Sequence, residues 1–216
     1  MAASLARRLY PLCSSRTGTR NHLRRAQNVL KSSSLNSKGT ALMDVNKISA
    51  GKQPPEQINV VIEIPMGSAP IKYEIDKESG ALFVDRFLQT SMIYPANYGF
   101  IPQTFSGDGD PCDVLVISKL PVCHGAVIPS RPIGVLMMED ESGVDEKILA
   151  VPTSKIEPYY DAIKSYRDLP EIFIQQIGHF FEHYKDLEKG KWVKVLGWEG
   201  PEKAKQLIQE GLARNQ

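Results

Sequence analysis

The hydrophobic period of this chain changes once, near Pro152, and that change limits the possible folds more than any other feature. Before it, β-branched and aromatic residues come in short runs bounded by Pro and Gly: Asn59–Ile64, Ile71–Ile75, Leu82–Arg86, Val114–Ile117, Ala126–Ile128, Ile133–Met137 and Lys147–Val151. Runs of this length and composition are strands. Many short strands with frequent turns close into a barrel or stack as a sandwich. After Pro152, Phe173, Ile177, Phe180, Phe181 and Tyr184 recur at helical spacing and share one face. Asp168 stands as the N-cap of that helix and Gly190 as its stop. A shorter helix is expected over Ile156–Ser165, a last strand over Trp192–Leu196, and a C-terminal helix opened by Pro201, at the first-turn position that proline favours. The fold class is therefore mainly β with α (α+β).

Charge divides the chain in two. Residues 1–43 hold eight Lys and Arg and no Asp or Glu, so the remaining 173 residues carry 18 basic and 25 acidic side chains, a formal net of −7. An acidic body repels nucleic acid and anionic lipid, so neither is an expected partner. The leader, rich in Arg and Ser and opening on Leu5-Ala6-Arg7-Arg8-Leu9-Tyr10, has the composition of a transit peptide. Its Arg density favours the mitochondrion over the plastid; a disordered basic tail is the plainer alternative. Met43 offers an internal start that would give a cytoplasmic form. The expected organisation is a leader over 1–43 and one domain over 44–216, a length that one core serves. No stretch of about 18 apolar residues exists to cross a membrane. Three scattered cysteines, Cys13, Cys112 and Cys123, form neither a disulfide framework nor a zinc pattern.

Chemistry concentrates in Asp108-Gly109-Asp110-Pro111-Cys112-Asp113. Three carboxylates within six residues repel one another unless a hard cation sits among them, and all-oxygen ligands suit magnesium, manganese or calcium. A solvated acidic turn is the other reading. The run is not an EF-hand, because Lys119 stands at the twelfth position. A second cluster, Glu139-Asp140-Glu141, meets Asp145 across a Ser142-Gly143 turn, and Lys147 shares a strand face with Asp145. A third set mixes Glu63, Lys72, Glu74 and Arg86. Carboxylates for metal, interleaved with Lys and Arg for phosphate oxygens, are what a polyanion bridged to protein by divalent cations requires.

His179-Phe-Phe-Glu182-His183 matches the inverted zinc-peptidase pattern H-x-x-E-H. Two histidines on a helix rim, at a subunit contact, explain the same spacing without catalysis. A barrel that binds a ligand without turnover is a further alternative, although the acidic charge and the lack of a basic, aromatic-studded face speak against nucleic acid.

The segments Val61–Pro65, Ile71–Gly80, Asp85-Arg86, Tyr94–Gly99, Asp108–Asp113 and His179–Lys189 together resemble family I soluble inorganic pyrophosphatases of the short bacterial type, from about Asp44 to the last helix. The resemblance implies a five-stranded OB-like closed barrel flanked by helices, and hydrolysis of pyrophosphate to two orthophosphates with several Mg2+ ions, Mn2+ or Zn2+ being substitutes. It implies that Asp108, Asp113 and Asp145 bind activating metals, that Asp140 joins Asp145 at further metal sites, and that Asp110 is the general base. It places Lys72, Arg86, Tyr98, Lys147, Tyr184 and Lys185 on phosphate oxygens, with Tyr94 orienting nearby and Glu63, Glu74 and Glu141 shaping and charging the site. It also implies a homohexamer, with His179, His183 and Asp186 at contacts between trimers.

Overall fold

The structure, a computed structural model, describes residues 43–215. The leader expected over residues 1–43 lies, Met43 apart, outside the described residues. Among the described residues, eight strands and two α-helices are formed: β1 Ile58–Ile64, β2 Ile71–Ile75, β3 Leu82–Phe87, β4 Asn97–Phe100, β5 Asp113–Val116, β6 Val127–Asp140, β7 Gly143–Pro152, α1 Glu171–His183, β8 Val193–Glu199 and α2 Pro201–Arg214.

Five strands close on themselves. The ladder runs β1, β4, β5, β7, β6, and β6 pairs back with β1 through Ile58–Val61 against Val127–Ser130. Among the described strands, only β5 and β7 run parallel. Strand β8 extends the sheet from β6, and β2 with β3 forms a separate two-stranded hairpin. This ring is the expected five-stranded closed barrel. Its strands read as nearly continuous apolar runs because both faces are covered. Along β5 and its exit and along β7, Leu115, Ile117, Leu149 and Val151 enter one core cluster with Ile177, Phe180 and Phe181 of α1, whereas Val114, Val116, Ile148 and Ala150 enter another with Ala204 and Ile208 of α2.

The structure departs from the sequence expectations at several points. The runs Ala126–Ile128 and Ile133–Met137 are one fourteen-residue strand, β6. Proline lacks the ladder donor, but a register shift between Pro132 and Gly134 absorbs the interruption. Strand β4 is absent from the sequence reading because Asn97 and Gly99 are poor strand formers. Gly99 is there for clearance, since an added Cβ would stand 1.9 Å from the Val61 carbonyl oxygen. The helix expected over Ile156–Ser165 is replaced by two 3₁₀ turns, Pro158–Tyr160 and Tyr166–Asp168. Glu157 caps the first and Ser165 closes a capping box with Asp168 on the second, so local side-chain bonds outcompete a helix. Asp168 is thereby committed, and α1 starts from Pro170 with no side-chain cap.

Helix α1 also ends earlier than Gly190. It stops at His183, and successive turns follow, with the N–H groups of Asp186, Glu188 and Lys191 donating to the carbonyls of His183, Lys185 and Glu188. That early end matters, because Tyr184, Lys185 and Lys191 then line the same cavity as Lys147 and Asp113, and Glu188 meets Arg86.

Candidate active site

The fifteen residues to which the resemblance gives metal, base, phosphate or supporting roles all line one cavity of about 260 Å³. The folding of each element explains why. Glu63 comes from β1, Lys72 and Glu74 from alternate positions of β2, Arg86 from β3 and Tyr98 from β4. Asp113 opens β5, Asp140 closes β6, and Asp145 and Lys147 share a face of β7. Asp108 and Asp110 sit on the loop between β4 and β5, Glu141 on the β6–β7 turn, and Tyr184 and Lys185 just past α1. The parallel register sets Asp113 opposite Lys147.

Lys147 is the pivot. It is 4% exposed, and its Nζ donates to Asp113 Oδ2 at 2.6 Å and Asp145 Oδ1 at 2.5 Å. Burial works against its charge, but the two carboxylates outweigh burial and hold its pKa well above the ordinary lysine value. Burial pushes Asp145 up, with the Asp113 and Asp140 charges adding to it and Lys147 opposing. On the far side Lys185 Nζ donates to Asp140 Oδ2 at 2.6 Å. Burial is again outweighed, and Asp140 stays below the usual carboxylate range through Lys185 and the Ser142 N–H.

Burial raises Glu63 to about 7. Its Oε1 accepts from the Ile75 N–H at 2.8 Å, and Lys77 Nζ stands 3.7 Å away. Burial and the neighbouring Asp108 charge raise Asp110. Tyr94 and Tyr98 are buried phenols held well above their usual pKa by that burial first.

Four partners escape the sequence reading. Lys77 and Lys191 line the cavity, the latter donating to Glu141. Asp85 and Glu188 hold Arg86 at 2.7 and 3.1 Å, and Asp85 also meets Lys72 at 3.2 Å. Lys77 lies past the end of β2, outside its alternation. Glu188 is 102 residues from Arg86, so no spacing rule links them.

Eight carboxylates and six cations line the cavity, a formal excess of two negative charges. Each of the six cations has a carboxylate within 4 Å. Among the described residues, Asp108 and Asp110 alone of the eight lack a cation partner, and Asp108 Oδ1 accepts only the Asp110 N–H at 3.0 Å. A multiply charged anion cannot enter such a cavity on lysine charge that is already spent. The donor set is all carboxylate oxygen, which fits hard divalent cations such as magnesium. Among the described residues no three acidic, His or Cys side chains yet converge to grip one ion together; lysines stand between the carboxylates.

His179 and His183 lie outside this cavity. Their rings pack 4.5 Å apart, and His183 Nδ1 is 2.8 Å from Asp186 Oδ2. The H-x-x-E-H pattern thus falls on a helix rim outside the cavity and its carboxylates.

The sequence model of the family described as inorganic pyrophosphatase matches residues 60–216. An inorganic pyrophosphatase of Rickettsia prowazekii is 65% identical over 80% of this chain and 100% of its own length. That of Bradyrhizobium diazoefficiens is 64% identical over 80% and 97%. A crystal structure described as inorganic phosphatase from Anaplasma phagocytophilum superposes with a TM-score of 0.77 at 54% identity, covering 78% of this chain and 98% of that one. With the barrel, the mixed-charge cavity and these likenesses in agreement, this chain belongs to the inorganic pyrophosphatase family.

Proposed function

We propose that this chain hydrolyses inorganic pyrophosphate to two orthophosphates in this cavity, with divalent cations, magnesium first among them, held by Asp108, Asp113, Asp140 and Asp145. The observation that carries the reading is the meeting of eight carboxylates and six cations around one small cavity, with every cation already paired. Bound divalent cations supply charge neutralisation of the polyanion and acidify water.

The chain's own groups do the rest. With divalent cations bound by the carboxylates, Lys72, Arg86, Lys147 and Lys185 would be free to hold phosphate oxygens, and the Tyr98 and Tyr184 hydroxyls would orient the same oxygens. Water attacks one phosphorus, its proton passes to an Asp110 carboxylate oxygen, and the bridging P–O bond breaks with its electron pair leaving on the second phosphate. Asp110 suits the base role because burial and Asp108 raise its proton affinity against the opposing Lys77 charge, and among the described residues no cation pairs with it. Phosphate release is expected with Mg2+ and its loss with EDTA. No Mg2+-dependent release would refute the reading, and peptide cleavage stopped by a zinc chelator would revive the peptidase alternative.

The acid-free, Arg-rich leader supports mitochondrial delivery, with a plastid or a Met43-initiated cytoplasmic form as alternatives. A reporter fused to residues 1–43 that stayed in the cytosol would overturn it. His179, His183 and Asp186 on one rim, together with the family resemblance, support a homohexamer, which sedimentation tests.

A further inference from the structure

The turn bearing Asp108 and Asp110 is shaped by its own bonds but seated by something else. Within it, the Ser106 N–H donates to the Asp110 carbonyl at 2.6 Å and the Gly109 N–H to the Ser106 carbonyl at 3.3 Å. Its tip is open, since a Cβ added to Gly107 or Gly109 would meet nothing within 4 Å. One long contact, Ser106 Oγ to Glu146 Oε2 at 3.4 Å, reaches β7.

The base of the turn is gripped. Thr104 Oγ1 accepts from the Cys112 N–H at 3.0 Å and donates to the Ile101 carbonyl at 2.7 Å, tying the entrance of the loop to its exit. The last turn of α2 then holds both sides. The Phe105 N–H donates to the Gly211 carbonyl at 3.0 Å, and Arg214 Nη1 donates to the Phe105 carbonyl at 3.1 Å. Gly211 itself lies against Cys112. A Cβ built on it would stand 2.6 Å from Cys112 Sγ, 3.2 Å from the Phe105 carbonyl oxygen and 3.3 Å from Thr104 Cβ. Glycine weakens a helix relative to alanine. At position 211 it serves the close approach of helix to loop.

We propose that Gly211 and Arg214 are positioning residues for the hydrolysis: the end of α2 seats the Asp108–Asp113 turn, and through Cys112 and Phe105 it sets where the cation ligands and the general base stand. Neither residue lines the cavity. The inference rests on the pyrophosphatase reading above. Small displacements of a catalytic group cost far more rate than stability, and outer-shell supports of metal ligands govern metal affinity.

The test pairs Mn2+ affinity, read from the free-ion paramagnetic resonance signal, with turnover in Mg2+. Gly211→Ala is expected to weaken Mn2+ binding and lower kcat/KM, each about tenfold. The double variant Gly211→Ala/Cys112→Ala, which clears the space that Sγ fills, is expected to bring both back to within about threefold of the unaltered chain. Arg214→Ala is expected to weaken Mn2+ binding about threefold. Should Gly211→Ala fail to fold, Arg214→Ala decides the matter by itself. Mn2+ affinity unchanged in whichever of the two variants folds, or a double variant as impaired as the single, would overturn the proposal. Phosphate release by the unaltered chain tests the hydrolase reading separately, because Mn2+ affinity needs no turnover.

Discussion

Two regions deliver carboxylates to the same cavity and hold them in opposite ways. The β6–β7 hairpin presents Asp140 and Asp145 from a continuous ladder, and each is locked to a buried lysine at 2.5–2.6 Å. The loop between β4 and β5 presents Asp108 and Asp110 from an open turn, with no cation partner among the described residues. One region is a neutralised frame whose cost of burial is already offset. The other is a pair of free anions, held in place but not in charge. A cation or a proton has most to gain at the second.

Breaking the free pair has the largest expected effect on turnover. Asp110→Asn keeps shape and removes the proton acceptor, so kcat is expected to fall by roughly 10²–10⁴ while the thermal midpoint is unchanged. A rate near that of the unaltered chain would remove Asp110 from the base role. Breaking the frame has the largest effect on stability. Lys147→Met leaves Asp113 and Asp145 facing each other without a counter-charge, at a cost of about 3–5 kcal/mol in urea unfolding with EDTA. Asp108→Asn, in the open turn, is expected to shift stability by no more than about 0.5 kcal/mol. Equal losses in those two variants would erase the distinction between frame and free pair.

Glu63 sharpens the comparison through pH. Burial raises it to about 7 from 4.5, so the folded chain binds more protons than the unfolded one between those values. Stability without metal therefore falls as pH rises from about 4.5 to 7, and the penalty stays in full above 7. Glu63→Gln keeps an acceptor for the Ile75 N–H and removes the titration, so the slope should flatten and stability at pH 8 rise by up to roughly 3 kcal/mol. An unchanged slope would exclude Glu63 as its source. The smallest effect is expected on the rim, where His183→Ala should alter kcat by less than about twofold and show itself, if at all, in sedimentation.

The sequence makes these regions legible to different degrees. Alternation exposes Lys72 with Glu74 and Asp145 with Lys147, because a strand places i and i+2 on one face and both pairs form. The acidic run is legible because three carboxylates within six residues repel one another, and a hard cation relieves that repulsion. Strand β4 is hidden because its glycine answers to clearance from Val61 rather than to local preference. Asp168 misleads because an Asp before an apolar stripe can cap either of two neighbouring turns, and the Lys164 and Ser165 N–H groups claim it at 2.8 and 2.9 Å. Glu188 and Lys191 are hidden because the chain leaves the helix at His183, before Gly190 would end it, and only then turns them toward Arg86 and Glu141. Roles carried by pairs far apart in sequence become visible once the barrel closes.

A cavity with eight carboxylates and six paired cations admits a polyanion only with divalent cations present. Calorimetric titration of methylenediphosphonate, a non-hydrolysable pyrophosphate analogue, tests it most directly, once in Mg2+ and once in EDTA. Binding in Mg2+ with none detectable in EDTA is the predicted result; equal affinity in both would contradict the account, because the lysines and Arg86 alone would then suffice.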